Sequence, residues 1–554
     1  MRSVFRQHGV IGCMARHCAA AVVTLATVAA CDTVDDVFDN NSTPRGVPIA
    51  EGFFGGVAGD DPRSVLVARE VLARGGTAAD AVVAYYFMAA VSYPSTSSLG
   101  AGGVCMSYEV FDEGRAGQLR FIDFRVAPID DVDPSVIRPT AVPGAVRGLF
   151  LLHADGGVTP WQDLVAPAER AARFGVPVSR ALARDLAMVG DVLLADPEAR
   201  RVFSGSGGGV LREGETIVQL DLSAMLSNIR TRGAGDFYVG FAARQFSEAV
   251  QSIGMPLTLE DMRDYSPLER ESYTTEIDQA LLGAAITVHV PGDGFDSGSS
   301  TLAAYEMLSS GDALDRALAN GSADHLIAEV SLRTAVARAM RPGASPDPVF
   351  NEELMSNYNA NSTTPIAVLP APPAVLTESP AASSVAAVDS FGNAATCVFS
   401  MNNLFGNGRV APGTGILLAA EPGGNRGDGL SLLPVISVNE NVHEVIFAGS
   451  VSGGVVSGPV MATVLVQLME ADTTVGDAVA RPRVFHPGLP DLVVVESTVG
   501  DAALNELVSR GHEVQVMPEL GRVNAIYCPE GLRNGSESCA VTTDPRAFGL
   551  AAGG

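Results

Sequence analysis

The chain has 554 residues, 47% of them hydrophobic and 18% charged, so it can bury a large core and is too apolar for a disordered protein. It contains no lysine, and 36 arginines face 63 acidic residues for a formal net charge of -27. A nucleic-acid partner needs a concentrated basic surface, and no such stretch is present.

Residues 1–30 read as a leader, because Arg2, Arg6 and Arg16 precede an apolar run, 19–30, that ends in small residues. Val28-Ala29-Ala30-Cys31 resembles a bacterial lipobox, in which Cys31 is lipidated and becomes the new N-terminus. The alternative is an ordinary cleaved signal with an incidental cysteine. Asp32 resembles the signal that keeps such lipoproteins at the inner membrane. The expectation is a periplasmic chain held by one acyl anchor, since no later apolar run approaches the ~18 residues of a membrane span. Residues 31–49 are polar and read as a tether.

Apolar spacing then predicts a helix over 62–74 with proline in its first turn and Gly75-Gly76 as its stop, followed by a second, largely buried helix over 77–91. Strands are predicted at 104–110 and 119–124, and helices at 161–174, 180–194 and 242–253. Residues 359–382 are rich in Pro, Ala, Asn, Ser and Thr without periodicity, which predicts an exposed connection; Thr363 and Thr364 read as linker residues. Strands at 384–388, 394–400, 442–448 and 492–495 and a helix at 459–469 complete the pattern. Cys528 and Cys539 are placed to close a small loop in an oxidising compartment, whereas Cys105 and Cys397 sit in apolar runs and read as buried thiols. No His-x-x-x-His or clustered Cys/His spacing marks a metal site, and His325 and His486 read as structural. No cofactor is expected.

Collinear segments then carry a resemblance. They include Gly75-Gly76-Thr77-Ala78-Ala79-Asp80-Ala81, Pro94 through Gly103, Val142-Pro143-Gly144, Val388-Asp389 with Gly392-Asn393, Met401-Asn402, Phe405-Gly406, Gly449-Ser450, Arg481-Pro482-Arg483 and Asp544-Pro545-Arg546. In this order they resemble the γ-glutamyltransferase family over nearly all of 51–549. The resemblance implies an α/β (α+β) fold, the four-layer αββα N-terminal-nucleophile hydrolase arrangement, made as a single proenzyme chain. It divides this chain into a large-subunit-like part, 50–382, and a small catalytic part, 383–554, which stay associated after self-cleavage. The implied activity is hydrolysis or transfer of γ-glutamyl amides, with glutathione or a related small molecule as substrate.

The freed N-terminal residue supplies both nucleophilic hydroxyl and basic amine in this chemistry. Counting back from Asp389 without a gap puts the family's threonine on Ala382, which has no hydroxyl; one deletion moves it to Ser383, and Ser384 follows. Ser383 is the expected nucleophile, Ser384 and an inactive remnant the alternatives. By resemblance Ser400 holds the nucleophile, Asn402 and Arg125 contact the substrate's amino-acid end, and Gly453-Gly454 form the oxyanion hole. Leu418-Ala419-Ala420-Glu421 replaces an amide-rich run, Gly424 a carboxylate, and Ser431-Leu432 a serine pair, leaving Glu421 to accept from an ammonium. A non-enzymatic lipoprotein that keeps the fold as a binding or structural module is the competing expectation.

Overall fold

The computed structural model describes residues 53–110, 117–129, 132, 136–279, 284–371, 381–422, 431–471, 473–533 and 536–554. The leader, the tether with Cys31, part of the serine-preceding connection, and Gly424 lie outside the described residues.

Among the described residues, thirteen strands build the two large sheets. In chain order they are β1 (Gly55–Gly59), β2 (Gly102–Glu109), β3 (Gln118–Asp123), β4 (Leu268–Arg270), β5 (Ser272–Gln279), β6 (Ala284–Pro291), β7 (Ala382–Asp389), β8 (Ala394–Ser400), β9 (Leu433–Asn439), β10 (Glu444–Ser452), β11 (Arg522–Tyr527), β12 (Ala540–Thr543) and β13 (Leu550–Gly553). The first sheet runs β13-β1-β7-β8-β2-β3-β4 and the second β12-β11-β10-β9-β6-β5. Every neighbouring pair in both is antiparallel.

The helices that cover the sheets start where the sequence places caps. Helix α1 (Pro62–Ala73) has proline in its first turn, and Asp61 accepts from the Ser64 amide as its N-cap. In α2 (Ala78–Ser92) Thr77 and Asp80 form a reciprocal capping box, and all fifteen residues are buried because the helix lies between sheet and outer helices. Both pack on the first sheet through a core that includes Val65, Leu72, Tyr86, Val385 and Ala387. On the second sheet lie α3 (Asp296–Ser309), α4 (Ala323–Met340) and α5 (Ser457–Met469), packed through Leu302, Leu326, Leu465, Val435 and Phe447. Between the sheets a third core joins Val104, Ala386 and Val388 to Ile436, Ala448 and Ile526. The layers are therefore helix, sheet, sheet, helix, as the αββα expectation requires.

Two sequence readings are corrected. Cys105 and Cys397 are not thiols: they face each other in the β2–β8 ladder and form a disulfide, with Cα atoms 4.2 Å apart. Residues 359–371 are not simply an exposed connection, because Thr364 and Leu369 are buried. Cys528 and Cys539 do close the small loop, with Cα atoms 4.1 Å apart. Iodoacetamide should therefore label none of these four cysteines in the denatured, unreduced chain and all four after reduction. Cys105→Ala should lower unfolding free energy by about 2–4 kcal/mol.

Candidate active site

Strand β7 carries the serines on the first sheet's central ladder. Its Val and Ala residues suit a strand buried on both faces, and alternation sends neighbouring side chains to opposite sides. Val385 and Ala387 enter the core under α1 and α2, while Ala382, Ala386 and Val388 enter the core between the sheets. Ser383 follows the first set and Ser384 the second.

The Ser383 hydroxyl is fully buried and shares a 3.0 Å hydrogen bond with the Ser97 hydroxyl, from the turn that follows α2. The β7–β8 ladder runs without a bulge from Val388 opposite Ala394 to Ala382 opposite Ser400. Directly opposed residues share a face, so Ser400 lies beside Ala382 and away from the Ser383 hydroxyl. The Ser400 hydroxyl donates to the Ala381 carbonyl at 2.9 Å and accepts from the Asn402 amide at 2.9 Å. Asn402 itself takes a left-handed φ of 65°, and its side chain donates to the Ala420 carbonyl at 2.9 Å.

Ser384 belongs to a buried polar group that the sequence reading missed. Asp60, just past β1, accepts from the Ser384 amide (2.9 Å), the Asn524 side-chain amide (2.8 Å) and the Ser452 hydroxyl (3.3 Å). Asn524 also donates to the Ser384 hydroxyl at 2.9 Å. Burial pushes the Asp60 carboxyl above its ordinary range, although Arg522 and these donors pull it down. Arg522, almost wholly buried at the start of β11, reaches the Ala382 carbonyl at 3.5 Å and the Tyr93 hydroxyl at 3.4 Å. The detectable signal for both was an ionisable residue at a strand end among small and apolar neighbours, in Ala58-Gly59-Asp60 and Gly521-Arg522-Val523.

Gly453-Gly454 turn the chain from β10 into α5. A Cβ at Gly453 would stand 2.5 Å from the Gly521 Cα, and Gly454 has a φ of 69°, so no side chain fits at either without distortion. Since Ser452 pairs with Arg522 across β10–β11, this turn, Arg522 and the Ala382 carbonyl share one end of the sandwich.

Arg125 follows β3 and holds Asp123 in a two-point pair at 3.0 and 2.9 Å, with its guanidinium 4.1 Å from the centre of the Phe295 ring. Burial pushes the Asp123 carboxyl up, but Arg125 and Arg270 bring it below its usual range. Just beyond Phe295, the Ser297 hydroxyl donates to the Leu432 carbonyl at 2.9 Å, and the Arg125 backbone lies against Gly102, the residue paired with Ser400 across β2–β8, so Arg125 stands at the serine end of the first sheet. Glu421 is half-buried, and its backbone amide donates to the Pro139 carbonyl at 3.0 Å.

A second cluster tests for metal. His325 and Glu329 of α4 and His512 bring two nitrogens and a carboxylate oxygen within 4.8 Å of one another. The atoms that face one another are already used. His325 Nε2 lies 2.9 Å from the Asn359 carbonyl and so donates to it, leaving Nδ1 to accept from His512 Nε2 at 2.7 Å. The Glu329 carboxylate accepts from Thr363, from the Thr364 amide and hydroxyl, and from Arg333 at 2.6 Å. Thr363 and Thr364 are therefore clamp residues rather than bare linker, holding the chain ahead of the serines against α4.

Burial lowers both histidines, His512 to about 4, where the His325 ring adds repulsion. The unfolded chain takes these protons near pH ~6.5, whereas the folded pair refuses them, so stability present above that pH is lost as pH falls toward about 4. The melting temperature should fall between pH 7 and 5, and His512→Gln should flatten that fall. An unchanged slope would assign the acid sensitivity to other groups.

The family pattern described as Gamma-glutamyltranspeptidase matches residues 64–423 and 430–554. The chain is 26% identical over 539 residues to the glutathione hydrolase proenzyme of Escherichia coli strain K12, covering 89% of this chain and 90% of that one. It is 27% identical over 531 residues to a glutathione hydrolase of Aspergillus flavus, covering 85% and 86%. The crystal structure of a cephalosporin acylase from Bacillus halodurans shares the fold, with a TM-score of 0.73 at 22% identity over 93% of this chain and 99% of that one. With matching order, layers and sheet topology, this chain belongs to the gamma-glutamyltranspeptidase family.

Proposed function

We propose that the chain is a self-processing amidase or acyltransferase of γ-glutamyl compounds, glutathione or a relative of it, with Ser383 as nucleophile. The observation that carries the reading is the Ser383 hydroxyl, hydrogen-bonded to Ser97 beside a carbonyl, that of Ala382, which faces Arg522. In processing, the Ser383 oxygen attacks the Ala382 carbonyl carbon, the oxyanion forms toward Arg522, and the 382–383 C–N bond breaks to an ester as the hydroxyl proton passes to the departing Ser383 nitrogen. Water then releases the ester, leaving Ser383 with a free α-amine. That amine, with a pKa near ~8, takes the hydroxyl proton in turnover. The γ-carbonyl of substrate becomes an acyl-serine, its amine leaves with the proton, and water or another amine completes the reaction.

In this reading Gly453 and Gly454 supply backbone N–H groups to the oxyanion, Ser400 steadies the processed terminus, and Asn402, Glu421 and Arg125 take the glutamyl α-groups. Arg125 must then exchange Asp123 for the substrate carboxylate. The names of the Escherichia coli and Aspergillus flavus relatives support the substrate class. A second reading, a non-catalytic module, draws support from Ala382, which occupies the place opposite Ser400. Purified mature chain on a reducing denaturing gel, with the N-terminus of the smaller band sequenced, separates them: a band beginning at Ser383 is expected, and an intact chain without amidase activity would favour the second.

The same proposal places the chain at the periplasmic face of the inner membrane through a lipid on Cys31, motivated by the lipobox and by the oxidised cysteines. Cys31→Ser should move it from the membrane to the soluble periplasmic fraction; unchanged partition would remove the anchor.

A further inference from the structure

We propose that an open cleft beside the 418–421 strap binds a small organic carboxylate with an apolar body, of the amino-acid or short-peptide type, at a site distinct from the serine junction. The cleft encloses about 630 Å³, counting space open to solvent, a size suited to such a ligand. Arg138 and Arg409 line it, with Ile137, Val192 and Pro197 as apolar surface.

The two guanidiniums are lightly used. Arg138 donates to the Asn407 carbonyl at 3.5 Å and Arg409 to the Ile253 carbonyl at 3.2 Å, and among the described residues neither meets a carboxylate. Each has five N–H donors, so a planar anion finds most of them free. The lining's acidic member, Asp196, has one of its oxygens committed to capping the helix Pro197–Phe203, where it accepts from the Ala199 amide at 2.8 Å. Ile137 and Val192, 77% and 55% exposed, stand on the cleft surface, where a ligand's aliphatic part would cover them.

The backbone is built around this arrangement. Arg138 holds a left-handed φ of 55°, an unusual conformation for a residue with a Cβ, and Asn407 donates to its carbonyl at 3.3 Å. Gly408 has a φ of 77°, and a Cβ there would stand 3.3 Å from the Arg138 Nη1, so the glycine leaves room for the guanidinium. The same segments bind the strap: the Asn407 amide donates to the Leu418 carbonyl (2.9 Å), Thr140 to Ala419 (3.1 Å), and the Glu421 amide to Pro139 (3.0 Å). Asn402 is bonded to Ala420 on that strap, so the cleft adjoins the substrate-reading segment without using Ser383. Two guanidiniums with apolar walls favour a monoanion carrying carbon over a bare phosphate.

Isothermal titration of the full mature chain with N-acetyl-L-leucine, its neutral amide and inorganic phosphate tests this. One molecule of the acid should bind per chain, with the amide at least ~10-fold weaker; Arg138→Ala and Arg409→Ala should each weaken the acid ~10-fold, and lysine at either position should restore part. Ser383→Ala should bind the acid as the wild type does. Equal binding of acid and amide, unchanged affinity in both alanine variants, or no binding of the acid at millimolar concentration would overturn the site. Phosphate binding as tight as the acid would overturn the ligand class, and loss of binding in Ser383→Ala would move the probe to the serine junction.

Discussion

Ser383→Ala is expected to stay in one piece and to lose amidase activity by at least ~10³-fold, because no alternative hydroxyl shares its face of β7. The substitution removes one oxygen from a fully buried site and leaves Ser97 to find another partner, so the fold should survive. Ser383→Thr keeps the hydroxyl and should process as well as the wild type. Ser384→Ala should also process, since the Ser384 hydroxyl is engaged by Asn524 between the sheets. The informative contrast is Ala382→Thr, which installs a hydroxyl opposite Ser400 in the gapless register. Cleavage that begins only in that variant, before residue 382, would sink Ser383 as nucleophile and make the natural chain a remnant. Cleavage that persists in Ser383→Ala but stops in Ser384→Ala would move the centre one residue on.

The largest stability effect should come from Asp544, which is wholly buried. Its carboxylate accepts from Arg483 at 2.5 Å, from the Val523 amide at 2.9 Å and from Arg546 through both amide (2.9 Å) and guanidinium (3.0 Å). Glu496 completes the network by binding Arg546 through two nitrogens and the Arg483 and Leu520 amides. Burial pulls Arg483 below its ordinary range, a sign of how costly that cation is without its partner. Asp544→Ala should therefore lower unfolding free energy by about 3–5 kcal/mol, read from the urea midpoint, with Asp544→Asn smaller because it keeps the shape and some acceptors. A loss under ~1 kcal/mol would mean that water replaces the carboxylate.

Local rules made much of this legible. The first-turn proline, the Gly75-Gly76 stop and the apolar spacing bounded α1 and α2 to within a residue or two, because Pro62 and Gly75 act within one helical turn of their own positions, while the caps Asp61, Thr77 and Asp80 emerged only in the fold. The paired motifs Arg481-Pro482-Arg483 and Asp544-Pro545-Arg546 were visible as segments, but their joining into one ionic network was not. What stayed hidden depends on partners far along the chain. Cys105 and Cys397 are 292 residues apart, and only the strand order sets them opposite each other. Thr363 and Thr364 look like linker until Glu329 is folded against them. At the serines the count from Asp389 supplied the register, but the faces follow from β7 being buried on both sides, which apolar composition alone does not orient.

The Cys105–Cys397 bond also decides what a broken chain would be. Cys105 precedes the serine junction and Cys397 follows it, so hydrolysis of a peptide bond between residues 371 and 383 yields two polypeptides that remain one covalent molecule. Strand order adds a mechanical interlock: β1 from the first piece lies between β13 and β7 from the second, and β8 from the second lies against β2 from the first. Without a reductant, electrophoresis would report the processed chain at nearly its uncut mass, and dilution could not drive the pieces apart. In an oxidising compartment such a nick would be permanent in bond count yet would carry no risk of subunit loss.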